Sequence, residues 1–239
     1  MLAVIADIHG NLGALEAVLT DVEKTGSDEL VCLGDVASFG PQPRETLRHV
    51  QALGCPVAMG NADWELLDAP TLEALNTSGR TFFDIAAWCA DQLTDADHDF
   101  IRTFKPTVRL TLENLPILCF HGSPKSYNDV IRATTPDETL AELFQERAPL
   151  MLGGHTHTQL LRRFEKVTFV NPGSVGLPFE LSGGGARNPA WAEYALVENV
   201  RGQPSVTFRR VPYDVGPLLE AAQTSGMPHA ETWCAGWSA

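Results

Sequence analysis

The sequence predicts an α/β fold with a parallel first half and a hairpin-rich second half. Three observations predict it. Short apolar runs alternate with helix-period segments over residues 2–53, the pattern of βαβ units. Past Phe104 the period turns from helical to strand-like, and paired runs flank turn residues. Apolar runs repeatedly close on an Asp, Asn or His beside a Gly, and strand ends are where open α/β sheets place their sites.

Residues 2–6 read as a buried strand leading through Asp7-Ile8-His9-Gly10-Asn11 into a helix with Leu12, Leu15, Leu19 and Val22 on one face. Residues 29–33 form a second strand, closed by Gly34-Asp35. The Gly and Pro content of residues 39–43 marks a loop. A helix follows over 43–53, with Pro43 in its first turn and Gly54 as its C-terminal cap. Residues 55–59 read as a third strand, ending in Gly60-Asn61-Ala62-Asp63. Residues 64–104 read as helical, with Phe82, Ala86, Cys89 and Leu93 on one face and a capping box at Thr94-Asp95-Ala96-Asp97. Residues 107–112 and 117–120 flank Glu113-Asn114-Leu115-Pro116 as a hairpin, whose second arm ends at His121-Gly122. A helix is expected over 136–147. Strands are expected over 149–152, before Gly153-Gly154-His155-Thr156-His157, and over 167–170, before Asn171-Pro172-Gly173-Ser174. A Gly-rich loop at 182–188 leads to strands near 192–197 and 205–211, then a short helix after Pro217. The last fifteen residues either pack on the body or fray. No repeat and no dividing linker interrupts the chain, so it reads as one domain, 1–239, with 225–239 as a candidate mobile tail.

The 239 residues carry a net charge of -13. That argues against a groove for duplex DNA built on bulk positive charge, and leaves room for a small nucleotide held by metal ions. Five scattered cysteines include no C-x-x-C pair, and Cys32, Cys89 and Cys119 lie in apolar runs as small core residues. This usage suits a reducing compartment. The chain opens on a strand without a basic leader, and no apolar run approaches the ~20 residues that cross a bilayer. The expectation is a cytoplasmic protein with no membrane partner; the oligomeric state is not legible.

The candidate ligands are Asp7, His9, Asp35, Asn61, His121, His155 and His157. Taken singly, Asp-x-His, Gly-Asp and Gly-Asn read as ordinary turns. Two histidines in the Gly-rich turn after residue 152 are harder to explain without a partner, and the whole series at successive strand ends harder still. Seven N and O donors suit two divalent ions, from among Mn, Fe, Zn, Co and Ni, and the set lacks the thiolates of a structural zinc site. Two such ions, about 3.5–4 Å apart, would polarise a phosphate and acidify a water.

The set Asp7-x-His9, Gly34-Asp35, Gly60-Asn61-x-Asp63, His121-Gly122 and Gly154-His155-x-His157 resembles the calcineurin-like metallophosphoesterases. The likeness extends to Asn171-Pro172-Gly173-Ser174 and spans roughly residues 1–180. Its details resemble the small prokaryotic branch, whose members are described as phosphodiesterases or carry a diadenosine-tetraphosphatase-like label. The resemblance implies a four-layer α-β-β-α sandwich of two mixed sheets flanked by helices. It implies that Asp7, His9 and His157 bind one ion, Asn61, His121 and His155 the other, and that Asp35 bridges them. It favours Mn or Fe. A hydroxide bridging the ions would attack phosphorus in line, with Asn61 helping to hold the phosphate oxygens. The implied substrate is a small, nucleotide-like phosphorylated molecule.

One position departs from the pattern. The family usually carries a His after Gly-Asn in the third motif, taken to protonate or stabilise the leaving oxygen. This chain has Ala62 there. General acid help is worth about 10²–10⁴-fold, so its absence favours leaving groups that are already stable anions, as in aryl diesters and phosphoanhydrides. Among replacements, His98 and His49 lie on polar helical segments. Asp63 joins Asp35 and Asn61 in the catalytic set as a residue that orients the site or caps a helix. Arg80, Lys125, Arg132 and Arg187 are the candidate phosphate contacts, and Trp64, Phe39 and Tyr127 the candidate stacking rings. The rival functions are a phosphomonoesterase of protein-phosphatase type, which the missing His disfavours, and a non-catalytic metal-binding scaffold, which the intact ligand set disfavours.

Overall fold

The computed structural model of the chain describes residues 1–67, 80–182 and 185–237. Strand β1 (Leu2–Ile5) is buried on both faces. It pairs in parallel with β2 (Glu29–Cys32) and antiparallel with β10 (Trp191–Val200), which pairs with β11 (Gln203–Pro212). The first sheet therefore runs β11-β10-β1-β2. The second runs β3-β4-β5-β7-β6, from β3 (Val108–Leu112), β4 (Leu115–Cys119), β5 (Leu150–Leu152), β6 (Leu160–Phe164) and β7 (Val167–Asn171). Parallel β4, β5 and β7 form its centre, and an antiparallel hairpin closes each edge.

The two-residue period of the strands builds the layers. On β1, Leu2 and Val4 face inward with Val31 and Leu33, against Ile117, Cys119, Leu150, Leu152 and Val170 of the second sheet. Ala3 and Ile5 face outward, against α1 (Leu12–Thr25), α2 (Pro43–Leu53) and α4 (Arg80–Gln92). Leu118, Phe120, Met151 and Phe169 face the other way and are covered by α6 (Asp137–Leu143) through Leu140, with Phe144 just beyond it. The fold is thus the expected α/β arrangement of two mixed sheets flanked by helices. Between α2 and α4 lies α3 (Asn61–Leu67), and α5 (Asp95–Ile101) follows α4.

Local chemistry sets the ends of these elements. Asn11 caps α1 by accepting from the Ala14 amide at 3.0 Å, and Gly26, at φ 70°, closes it. Pro43 and Gly54 bracket α2 as expected. The Thr94–Asp97 capping box is present, with both reciprocal bonds.

Several expectations need correction. The third strand, 55–59, shrinks to single bridges, Cys32 to Val57 and Ala58 to Lys105. Pro56 has no N–H to give a ladder. The expected four-residue turn is a two-residue one: Glu113 and Asn114 take φ of 48° and 69°, and Leu115 and Pro116 enter β4. Positive φ at both positions is what a tight hairpin needs, and Pro116 is tolerated because pairing with β5 begins only at Ile117. The helical stretch 64–104 is broken by the cap at Thr94 and ends at Ile101; its residues 68–79 lie outside the described residues. Ile85, Ala86 and Cys89 form the buried stripe of α4, while Phe82 is 60% exposed. The strand β6 has no clean alternation in Leu-Leu-Arg-Arg-Phe and was not legible. Within the Gly-rich loop, β8 (Glu180–Ser182) and β9 (Gly185–Arg187) form a ribbon.

The chain ends in α7 (Gly216–Thr224) and α8 (Ala230–Ala235). Trp237 packs with Val215 and Leu218. The Trp233 indole donates to the Phe39 carbonyl at 3.0 Å, and the Asn188 amide donates to the Gly236 carbonyl at 2.8 Å. The described part of the C-terminal stretch therefore packs on the body. Among the described residues, no helix is long and apolar enough to cross a membrane.

Candidate metal centre

The strand-end loops turn inward through strained backbone. Asp7, His9, Asp35, His155 and His157 have φ of 55°, 49°, 55°, 71° and 51°. This left-handed region costs a non-glycine residue roughly 1–2 kcal/mol, and such strain gathers where a site over-determines the backbone. The loops after β1 and β2 hold each other: the Asp7 amide donates to the Gly34 carbonyl at 3.0 Å, and the Ile8 amide to the Asp35 carbonyl at 2.9 Å. Asp63 collects three backbone amides, from Asp35 at 2.7 Å, Val36 at 2.8 Å and Gly60 at 3.1 Å. Its carboxylate thus ties the second loop to the start of α3. A Cβ on Gly60 would lie 2.0 Å from the Asp35 Oδ1, and one on Gly176 would lie 1.7 Å from the Ile8 carbonyl oxygen. Neither approach allows a side chain. The Ser174 hydroxyl donates to the Asp7 carbonyl at 2.7 Å, and Asn171 donates to the Gly154 carbonyl. The Asn-Pro-Gly-Ser turn so locks the β1 and β5 loops together.

The histidines share one device. Nδ1 of His9, His121 and His157 donates to the carbonyls of Ser38 at 3.0 Å, Leu33 at 2.7 Å and Leu177 at 2.7 Å. A carbonyl only accepts, so each Nδ1 carries a proton and each Nε2 is the ring nitrogen turned toward the cluster. His9 and His157 meet Nε2 to Nε2 at 3.1 Å. The His121 Nε2 meets Asn61 Oδ1 at 3.1 Å and Asp35 Oδ2 at 3.2 Å. Nitrogen and oxygen atoms this close share a cation, a proton or a metal ion. Two donors at right angles on one ion, each about 2.1 Å from it, stand about 3.0 Å apart. The donors therefore fit metal ions, and they fall into two adjoining groups: Asp7, His9 and His157, and Asp35, His121 and His155. Asp35 Oδ2 is also 3.7 Å from the His9 Nε2, within reach of both groups. Asn61 lies beside the second group. All seven candidate ligands come together.

The electrostatics agree. Burial pushes the Asp7 carboxyl up, although His157 and His121 oppose it. Burial also acts on Asp35, but His121 outweighs it and holds that carboxylate ionised. Burial disfavours a charged His121, yet Asp35 and Asp7 overcome it and push its pKa up to about 10. Burial and the neighbouring His157 lower His9 to about 3. Burial and Asp35 raise Asp63 to about 7, and burial raises Glu65 to about 7. A protein without cations leaves this cluster in conflict over its own charges.

A cleft of about 490 Å³ opens over the centre; its lining includes His9, Asp35, Asn61, His155 and His157 together with the apolar Phe39, Phe82, Ile85, Leu177, Phe179 and Trp233. Of the expected stacking rings, Phe39 lines it; Trp64 and Tyr127 pack against each other, with centroids 6.2 Å apart, and do not. Arg80, Lys125, Arg132 and Arg187 are exposed and absent from its lining; His49 and His98 are half-buried, contrary to a surface position, and are absent from it too. Sequence reasoning missed Phe82 on α4, Phe179 in the loop before β8 and Trp233 on α8 as cleft residues, and Glu65, whose Oε1 accepts from the Asn61 side-chain amide at 3.3 Å. The Asn61–Glu65 spacing of four on a helix was the available signal for that last contact.

Comparison with known proteins agrees with this picture. The chain is 28% identical to the phosphodiesterase YfcE of Escherichia coli over 194 residues, covering 81% of this chain and 85% of that one. Over 67 residues, 27% of this chain, it is 37% identical to a symmetrical bis(5'-nucleosyl)-tetraphosphatase of Psychromonas ingrahamii, of which 24% is covered. The crystal structure of a metallophosphoesterase from Sphaerobacter thermophilus superposes with a TM-score of 0.74 at 26% identity, covering 98% of both chains. Residues 1–198 match the calcineurin-like phosphoesterase superfamily domain. The chain belongs to the calcineurin-like phosphoesterase superfamily.

Proposed function

We propose that this protein is a phosphodiesterase working with two divalent ions, hydrolysing small nucleotide-like phosphodiesters or phosphoanhydrides. The observation that carries the reading is the pair of adjoining donor groups, in which the imidazole Nε2 atoms, the Asn61 oxygen and the carboxylates converge at hydrogen-bond distance or little more. Bound there, divalent ions would neutralise a phosphate and acidify a water. Asp7, His9 and His157 hold one ion, and Asn61, His121 and His155 the other, with Asp35 between them. The borderline N and O donors suit Mn or Fe, with Zn, Ni and Co as further candidates. Asn61, at the first turn of α3, also helps hold the phosphate oxygens. Asp63 keeps Asp35 and Gly60 in place through backbone amides.

Ala62 gives the leaving oxygen no proton. Its amide is already committed, donating to Asp35 Oδ1 at 2.8 Å. The enzyme therefore works best on esters and anhydrides whose leaving group departs as a stable anion. Nearly full-length similarity to a protein named phosphodiesterase supports a diester, and the short match to a dinucleoside tetraphosphatase supports a nucleotide. Within this reading the chain is a single domain acting in the cytoplasm on small substrates rather than duplex DNA.

The test is hydrolysis of bis(p-nitrophenyl) phosphate and p-nitrophenyl phosphate by stripped protein reloaded with Mn²⁺. Diester cleavage should exceed monoester cleavage, vanish on chelation, and fall at least about 10²-fold in Asn61→Ala. Preferential monoester cleavage would refute the diester assignment.

A further inference from the structure

Part of the cleft wall, adjoining the ion-binding histidines, is made of rings. From His9 the Phe39 ring follows at 5.7 Å, and Phe82 meets Phe39 edge-on at 5.9 Å. From His157 the Phe179 ring follows at 6.2 Å. Both ring series start at the histidines of the Asp7 group, so the rings adjoin that ion position. The Trp233 indole reaches into the same wall from α8, outside residues 1–198 that match the family domain, and its bond to the Phe39 carbonyl fixes the Phe39 loop.

Two further observations say what this wall meets. Phe82 and Phe179 are 60% and 39% exposed at the cleft although both are large apolar side chains, and apolar surface left open beside a polar site marks a contact. The described lining contains no lysine or arginine, and residues 68–79, 183–184 and 238–239 contain none in the sequence either. Nothing on this wall neutralises a second charged group.

We infer that the substrate carries a flat aromatic group on its phosphate, an aryl ring or a nucleobase, seated between Phe39 and Phe82 on one side and Phe179 on the other, adjoining the Asp7 ion position. This rests on the phosphoesterase reading for the identity of the phosphate site. In hydrolysis a water oxygen bonds to phosphorus and one P–O ester bond breaks. The departing oxygen keeps the electron pair, leaving as an aryl oxide or taking a proton from solvent, while water's lost proton goes to bulk.

Phenylphosphonate and methylphosphonate test the inference, since neither has an ester to cleave and they differ only in the ring. Calorimetry on Mn²⁺-loaded protein should show phenylphosphonate binding roughly 10–100-fold tighter, the range that stacking on aromatic side chains supplies. Phe82→Ala and Phe179→Ala, both at exposed positions that leave the core intact, should each shrink that ratio severalfold and leave methylphosphonate unchanged. Equal affinities, or a ratio that both variants leave intact, overturn the inference. Diester hydrolysis measured on the same samples separates the two ideas. Hydrolysis with no phenyl preference removes the aromatic site and keeps the enzyme. A phenyl preference without hydrolysis keeps the aromatic site and removes the enzyme.

Discussion

Asn61 shows how one side chain is made single-minded. Its Oδ1 faces the His121 Nε2 and its amide nitrogen donates to Glu65. Glu65 is buried, 6% exposed, and lies one helical turn along α3. A partner of this kind would hold the amide oxygen toward a bound ion, and loss of such partners typically costs 10–100-fold in metal affinity. Glu65→Ala should therefore weaken binding of one ion of the pair by about that factor. Glu65→Gln, which keeps an acceptor oxygen, should recover most of it. Metal titration followed by calorimetry reads both, and equal affinity in wild type and Glu65→Ala would end the argument. The left-handed backbone at Asp7, His9, Asp35, His155 and His157 belongs to the same account. Left-handed backbone turns each chain sharply as it leaves its strand, and residues from three separate loops reach one cluster.

Among the secondary elements, α5 depends most visibly on one residue. Asp97 accepts from the Thr94 amide at 2.9 Å and hydroxyl at 2.6 Å, and from Arg44 and Arg48 of α2 at 3.1 and 3.2 Å. It thus closes the N-terminus of one helix and ties it to another. Burial acts to raise its pKa, but the Thr94 bonds and Arg48 prevail and hold it at about 2, against an ordinary 3.8. A depressed folded-state pKa stabilises the fold above the unfolded value, and that contribution disappears as pH falls through the folded one. Asp97→Asn should cost about 1–2 kcal/mol at pH 7, within the range of cap and linkage effects. The two proteins should converge in denaturant titrations between about pH 4 and pH 2. A constant difference across that range would mean that the charge is not the cause.

Taken together, the molecule brings the Asp7, Asp35, Asn61, His121 and His155 loops to one end of a two-sheet sandwich, where their side chains form two candidate cation-binding groups. Metal should accordingly stabilise the fold. One site held at hundredfold excess over its dissociation constant contributes about 2.7 kcal/mol, or roughly 5–10 °C in Tm for a chain of this size. Scanning calorimetry with Mn²⁺ and with chelator reads this, and an unchanged Tm would argue against the centre. The C-terminal helices add a second dependence, because α8 holds the Phe39 loop whose neighbour Ser38 holds His9.

The alternation of strands and helices, the caps at Asn11, Gly54 and Thr94, and all seven candidate ligands were legible in the order of residues. Each depends on local chemistry: a two-residue or helical period, a capping side chain, a glycine beside a polar strand end. Contacts between distant segments were not legible. The strand at residues 55–59 shortened to two single bridges, to Cys32 and to Lys105, and those distant partners could not be read from the local pattern. Phe82 looked like core by its spacing, yet it lies open beside Phe39, because which helix face is buried depends on what is packed against it. The aromatic wall joins residues 39, 82, 179 and 233, and no local pattern links them. Side-chain period and turn chemistry act over a few residues and are written in order along the chain. The meeting of Trp233 with Phe39, and of His9 with His157, is decided by how two sheets and their helices close on one core, and so belongs to the tertiary structure alone.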